Sequence, residues 1–340
     1  MATRTITAPR ITRVAARPHS DTAQHYRAAR EHAARSPAFR AHPGLNLKFF
    51  GGKTIEHLTF THVYLGGKEA WSTDDIAAID HALPAAMRDP HLNNVLAQYY
   101  ADGKPTASFK PSRILDEPIP AVVHKDTIES IVASLDRANG LSGFDLSSSV
   151  FCFLLPRGVV LVDGDSNGKA EHDDDHDEDD EPQFNPALRE QNEADDSKHG
   201  LGGFHGSIHP HGAKTATVYY AVGVYSEGDN GILAFDEPWK SICATFYHEL
   251  CEARTDPDVE DAIKLGDTPA ADKLIGWYSP KGGEIGDIPM EEAGAHLGTV
   301  MREVPLANGK GKVPVQLMWS NAVGRPEGPI AQKRKRSPNG

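Results

Sequence analysis

Residues 241–255 read Ser-Ile-Cys-Ala-Thr-Phe-Tyr-His-Glu-Leu-Cys-Glu-Ala-Arg-Thr, a stretch that decides what fold the chain is expected to take. Ser241 can cap a helix that runs to about Arg254. On that helix Phe246, Leu250 and Ala253 recur at i, i+4 and i+7 and share one face. His248 and Glu252, at i and i+4, share the opposite face, among the small residues Ala244, Thr245 and Thr255. One side is therefore expected to pack on a core. The other offers an imidazole and a carboxylate with room beside them. Glu249, turned by about 100° from His248 on a 3.6-residue helix, stands at the rim of the polar face.

An H-E-x-x-H helix places two zinc ligands one turn apart, with a glutamate beside the first. Here Glu252 stands where the second His would be. Catalytic zinc accepts carboxylate oxygen as well as imidazole nitrogen, and keeps three protein ligands plus an open position. Glu249 is then placed to deprotonate water as general base and later to protonate a leaving amine. The pentapeptide alone is a weak motif, because His and Glu on a helix are commonly solvated. A third ligand is needed. Gly282-Gly283-Glu284-Ile285-Gly286-Asp287 presents two carboxylates where glycines let the backbone approach closely. Glu284 is the first candidate, Asp287 the second, and Asp258, ten residues past His248, the third.

Outward from this helix the pattern is that of a mixed α+β domain. Residues 58–65, 150–155, 159–162, 217–224 and 313–319 are β-branched and aromatic runs that predict strands, the second and third flanking a Pro-Arg-Gly turn. Residues 73–87, opened by Ser72 or Thr73, predict an amphipathic helix. Further helices are expected around 91–99, over 126–137 with Ile128, Ile131, Val132 and Leu135 on one face, and near 290–297. Residues 1–44 read as a basic arm plus a helix that runs from Ser20 or Asp21 to about Ser36 and is stopped by Pro37. Residues 164–200, rich in Asp, Glu, Asn, Gly and Ser, bury too little apolar surface to offset their ordering entropy and are expected to be a disordered insertion. The tail, 326–340, carries Lys333-Arg334-Lys335-Arg336 and is expected to be disordered too.

Composition narrows the class further. The formal net charge is −13, but residues 171–181 (EHDDDHDEDDE) supply −9 of it, so the rest of the chain is only mildly acidic and nucleic acid is not an expected partner. Gly164-Asp165-Ser166-Asn167-Gly168 lacks the spacing of a calcium loop. No apolar run approaches the roughly 18 residues of a membrane span. The first ten residues carry no apolar h-region, which points to a cytoplasmic chain without a secretory signal. Cys152, Cys243 and Cys251 are an odd, sparse set in apolar contexts, expected to be buried thiols.

Several of these segments resemble the exordium-like (phosphate-induced) proteins and their microbial relatives. They are His248-Glu249-Leu250-Cys251-Glu252-Ala253-Arg254-Thr255-Asp256-Pro257, Gly276-Trp277-Tyr278, Glu284-Ile285-Gly286-Asp287 and Val315-Gln316-Leu317-Met318-Trp319-Ser320-Asn321. Phe50-Gly51-Gly52-Lys53, Leu96-Ala97-Gln98-Tyr99-Tyr100 and His205-Gly206-Ser207 fall in the matching order, so the resemblance spans about residues 45–325. It implies a zincin-type α+β domain whose H-E-L-x-E helix belongs to a metallohydrolase, and it points to His248, Glu249, Glu252, Glu284 and Asp287. Plant relatives are typically secreted and cysteine-rich near the His-Gly-Ser element. This chain has Gly203 and Phe204 there.

Outside the motif, His205, with His209 and His211 nearby, is a candidate substrate or transition-state donor, or a packed His in a polar loop. Tyr278 can polarise an oxyanion or simply pack. Met318 is expected in the core rather than beneath a metal, and Cys251 is expected to be buried rather than to ligate. Ser207 lacks a nucleophile elbow, and no P-loop or dinucleotide fingerprint occurs. The expected protein is a single zincin-like α+β domain over 45–325, with a mixed sheet and a metal-binding helix. It would be a zinc hydrolase of peptide or small amide substrates, with Glu249 activating water. Two other readings stay open: a binding domain with a structural metal, and an iron or manganese enzyme at the same residues. The oligomeric state is not legible.

Overall fold

The computed structural model describes residues 39–166, 195–210, 216–228, 230–266, 268–294 and 296–331. The expected basic arm with its helix to about Ser36, the acidic run 171–181, His211 and the basic tail 333–336 lie outside the described residues.

The chain enters through a short strand β1 (Lys48–Phe49) and the long β2 (His57–Tyr64), then helices α1 (Thr73–Arg88) and α2 (Pro90–Leu96). Ser72 caps α1 by accepting the N–H groups of Asp74 and Asp75, and Asp89 caps α2 in the same way. Strands β3 (Thr106–Phe109), β4 (Arg113–Ile114) and β5 (Val122–His124) lead to α3 (Lys125–Arg137). Then come β6 (Ser149–Leu155), β7 (Val160–Asp163), β8 (Asp195–Asp196), β9 (Gly203–Ile208) and β10 (Val218–Val224). The last third carries α4 (Pro238–Thr255), α5 (Val259–Lys264), β11 (Trp277–Tyr278) and α6 (Asp287–Ala293). It ends in the hairpins β12 (Met301–Pro305) with β13 (Lys312–Gln316) and β14 (Met318–Ser320) with β15 (Arg325–Glu327).

The main sheet has six strands in the order β3-β2-β6-β10-β9, with β4 also paired to β2. All pairs are parallel except β9, which runs antiparallel along β10 at the edge. A buried parallel sheet must be covered on both faces, and β6 shows it: every residue of Ser149–Leu155 is buried. Val150, Cys152 and Leu154 pack with Phe246 and Leu250 of α4 on one face. Phe151, Phe153 and Leu155 pack with Ile128 and Val132 of α3 on the other. The result is a single α+β domain with a mixed sheet.

The two strands expected around Pro156-Arg157-Gly158 are present and go to different sheets: β6 joins the main sheet and β7 joins a three-stranded sheet with β5 and β8. Five local expectations change. The helix expected from Ser241 starts earlier, at Pro238, where a proline fits the first turn because its missing N–H would be unsatisfied anyway. Ser241 instead accepts the N–H of Ala234. The helix near 290–297 begins at Asp287 and ends at Ala293. The strand expected over 313–319 is split, because Leu317 donates to Val300 between β13 and β14. Order also reaches into the segment expected to be an insertion, since Ser197 accepts from Leu161 N and donates to Asn230. Past β15, Ile330 donates to His91 O and accepts from Asn94, which ties the start of the expected tail to the body.

Candidate metal centre

The larger departure concerns α4 itself. The helical wheel predicts a core face and an accessible polar face, yet every residue from Ser241 to Thr255 is buried. A helix covered all round sits in the middle of a domain rather than on its surface. The apolar side packs on the main sheet. The His248 side is covered by β13 and by the 284–287 turn that opens α6, a covering that a wheel cannot display.

The polar groups under that cover converge. Oε2 of Glu252 lies 3.0 Å from Nε2 of His248, one turn earlier. Nε2 of His248 is also 3.7 Å from Oδ1 of Asp287, the first residue of α6. From the edge strand β9, His205 brings its Nε2 to 3.4 Å from Oε2 of Glu284 and 3.9 Å from Oε2 of Glu252. His205, Glu252 and Glu284 each offer a ligand atom within 4.8 Å of one another, and so do His248, Glu249 and Glu252. His205 is the most exposed of these six residues, at 5%.

The backbone around Glu284–Asp287 holds the arrangement. Oε1 of Glu252 accepts the N–H groups of Gly286 (3.0 Å) and Asp287 (3.1 Å), and Oδ2 of Asp287 accepts Glu284 N–H at 2.9 Å. Gln316 closes a loop on the other side. Its amide nitrogen donates to Gly286 O at 2.6 Å, so its oxygen faces Nδ1 of His248 at 2.9 Å and accepts that N–H. A proton held on Nδ1 leaves the lone pair on Nε2, the tautomer a metal-binding imidazole needs.

Nε2 of His205 and Oε2 of Glu284 share a hydrogen bond, but four other donor atoms of the centre have none. Nε2 of His248, Oε1 of Glu249, Oε1 of Glu284 and Oδ1 of Asp287 are all buried without a partner, although His248 and Glu252 nearly touch. Their closeness without hydrogen-bond alignment is what converging ligands look like. Among the described residues, no Lys or Arg forms an ion pair with these carboxylates. The nearby buried Arg254 donates instead to the carbonyls of Ile55, Glu56 and Thr106. Burial pushes Glu249, Glu252 and Asp287 far above the usual carboxylate range and Glu284 up to about 8. Burial, with His248 beside it, pushes His205 down to about 3. Carboxylates in a dry site need either protons or a cation. A divalent ion fits this donor set of imidazole nitrogen and carboxylate oxygen.

The remaining candidates sort themselves. Asp258 stands apart, accepting the Tyr219 hydroxyl at 2.7 Å, with Lys53 donating to the same hydroxyl at 3.0 Å. Tyr278 is buried in a small apolar cluster with Ala262, Ala271 and Ile275. Burial raises its hydroxyl pKa, and the Glu284, Asp287 and Asp256 carboxylates raise it further. Asp256 accepts Gly276 N–H at 2.8 Å. His209 pairs with Asp261 at 2.8 Å, and Met318 lies in the main core. Ser207 uses its N–H on Glu260, which Lys125 and Lys264 neutralise. Cys152, Cys243 and Cys251 are free and buried, and burial pushes the Cys251 thiol up to about 12. Gln316 is absent from the candidates read in the sequence. The signal for it is faint: one amide in the apolar run Val313–Trp319.

No family model, curated protein or solved structure is significantly similar to the chain.

Proposed function

We propose that the protein is a metal-dependent hydrolase built on α4, with His248, Glu252 and Asp287 holding a divalent ion. The observation that supports this best is the Nε2 lone pair of His248. Gln316 directs it inward, where it has no hydrogen-bond partner and lies within 3.0 Å of Glu252 and 3.7 Å of Asp287. Zinc is the first expectation from His and carboxylate donors, and iron or manganese the second, because imidazole and carboxylate suit those ions too. A bound divalent ion supplies a Lewis acid and lowers the pKa of water. Glu249 takes the proton from attacking water and returns it to a leaving amine. Its buried, unpartnered oxygen beside the ligands suits a base that serves water at the ion. In this reading Tyr278, whose hydroxyl lies in the field of Glu284 and Asp287, steadies a carbonyl oxygen. The substrate class is a peptide or a small amide, in line with the zincin-type resemblance of the H-E-L-x-E helix.

The first experiment is elemental analysis of protein purified without chelator. One or more equivalents of zinc, iron or manganese, lost in His248→Ala, supports the proposal, and metal-free protein removes it. One observation favours a structural metal instead: no group of the centre is more than 5% exposed. In that case chelation lowers the melting temperature while Glu249→Gln changes no turnover. No described helix is long and apolar enough to cross a membrane.

A further inference from the structure

We infer that the centre is dinuclear, with His248, Glu252 and Asp287 on one ion, His205, Glu252 and Glu284 on a second, and Oε2 of Glu252 shared between them. The inference rests on the hydrolase proposal for its first ion and adds the second.

Three observations carry it. The first is spatial. The cluster resolves into two triads, each within 4.8 Å, that have Glu252 in common. One triad is His205, Glu252 and Glu284, the other His248, Glu249 and Glu252, so each has its own imidazole, and Asp287 stands beside the second, 3.7 Å from His248. The cluster thus offers two ligand sets that meet at Glu252.

The second observation is how Glu252 is held. Its Oε1 is occupied by the N–H groups of Gly286 and Asp287, which fixes the carboxylate plane. Its Oε2 is left between the two rings, 3.0 Å from Nε2 of His248 and 3.9 Å from Nε2 of His205. One oxygen so placed suits a bridge between ions, which in two-metal hydrolytic sites sit about 3.5–4 Å apart.

The third is charge. Glu249, Glu252, Glu284 and Asp287 are all buried. When ionised these four carboxylates carry −4, and among the described residues no Lys or Arg pairs with any of them. One divalent ion leaves −2 under the roof of the domain, whereas two cancel it. The unpartnered atoms are also distributed over both halves, with Nε2 of His248 and Oδ1 of Asp287 on one side and Oε1 of Glu284 on the other.

The test counts ions without relying on turnover. Chelator-treated protein is titrated with Zn²⁺ against a chromophoric competitor, and separately with Mn²⁺ followed by electron paramagnetic resonance. The expected result is two equivalents bound, with exchange broadening replacing the six-line signal of isolated Mn²⁺ as the second equivalent enters. His205→Ala is expected to bind one equivalent and to keep the six-line signal. Circular dichroism checks that this variant is folded, and the wild-type count stands even if it is not. A wild-type stoichiometry of one overturns the second ion and leaves the hydrolase proposal intact, while a stoichiometry of zero overturns both. Two equivalents that survive in folded His205→Ala overturn the assignment of the second ion.

Discussion

A methyl group added to Gly286 would stand 2.5 Å from Nδ1 of His248. Gly286 has φ −93° and ψ −32°, ordinary helical values that alanine adopts freely. Backbone strain is therefore not what requires glycine here. The requirement is room for the imidazole ring. Gly286→Ala is expected to fold normally, to turn His248 away from Glu252 and to weaken zinc binding by about 10–100-fold, the range seen when ligand orientation is disturbed. A competition titration beside a melting curve checks this. Unchanged affinity would show that the ring position does not matter to the metal.

Gln316→Leu removes the acceptor for Nδ1 of His248 and the donor to Gly286 O while keeping similar bulk. Two buried polar groups lose their partners, at a cost of about 1–3 kcal/mol each. The lost tautomer control should also weaken metal binding by about 10–100-fold. Added zinc should then raise the melting temperature of the variant less than that of the wild type, and equal shifts would argue against Gln316 as the positioning residue.

Glu249→Gln keeps the size and burial of the side chain but removes the base. Metal content should stay at the wild-type level, and turnover of any peptide or amide substrate should fall by about 10²–10⁴-fold, the usual contribution of a general base. A variant that loses its metal instead would move Glu249 from base to ligand.

His62 lies outside the metal centre and gives a pH prediction. It is fully buried, and Oδ1 of Asp80 accepts from its Nδ1 at 2.6 Å. Burial holds its pKa below 6.5 in spite of that carboxylate. Burial alone would raise Asp80, but bonds from His62, Ser112 and Tyr64 outweigh it and hold Asp80 below 3.8. Below pH 6.5 the unfolded chain takes up a proton at His62 that the folded protein refuses. The stability linked to His62 is thus present above pH 6.5 and is lost as the pH falls, with a limiting slope of about 1.4 kcal/mol per pH unit. Asp80 adds a loss in the same direction only below about pH 4. Urea midpoints at pH 7.5, 6.5 and 5.5 test this, with His62→Gln expected to show a shallower fall. An identical slope would assign the pH dependence to other groups.

Arg254→Leu should destabilise the protein by about 3 kcal/mol or more. The fully buried guanidinium serves the carbonyls of Ile55, Glu56 and Thr106, and charged hydrogen bonds are worth about 1.5–3 kcal/mol each. Denaturant unfolding at neutral pH measures the loss. A change below about 1 kcal/mol would mean that water replaces the guanidinium.

Local chemistry was legible wherever neighbours in sequence are neighbours in space. Ser72 and Asp89 cap their helices, the apolar run of β6 is buried on both faces, and His248 and Glu252 meet one turn apart. The glycine-flanked turn with Glu284 and Asp287 stood out because short carboxylate-bearing turns between glycines are conspicuous in one dimension. Tertiary packing decided the rest. The cover of β13 and the 284–287 turn buries the His248 face that a helical wheel shows as open. The register of edge strand β9 against β10 carries His205 from a distant segment to Glu284, and β13 delivers Gln316 to Nδ1 of His248. Sequence periodicity reports which face of an element is apolar. It does not report which strand lies beside it, and a metal shell is completed by those neighbours.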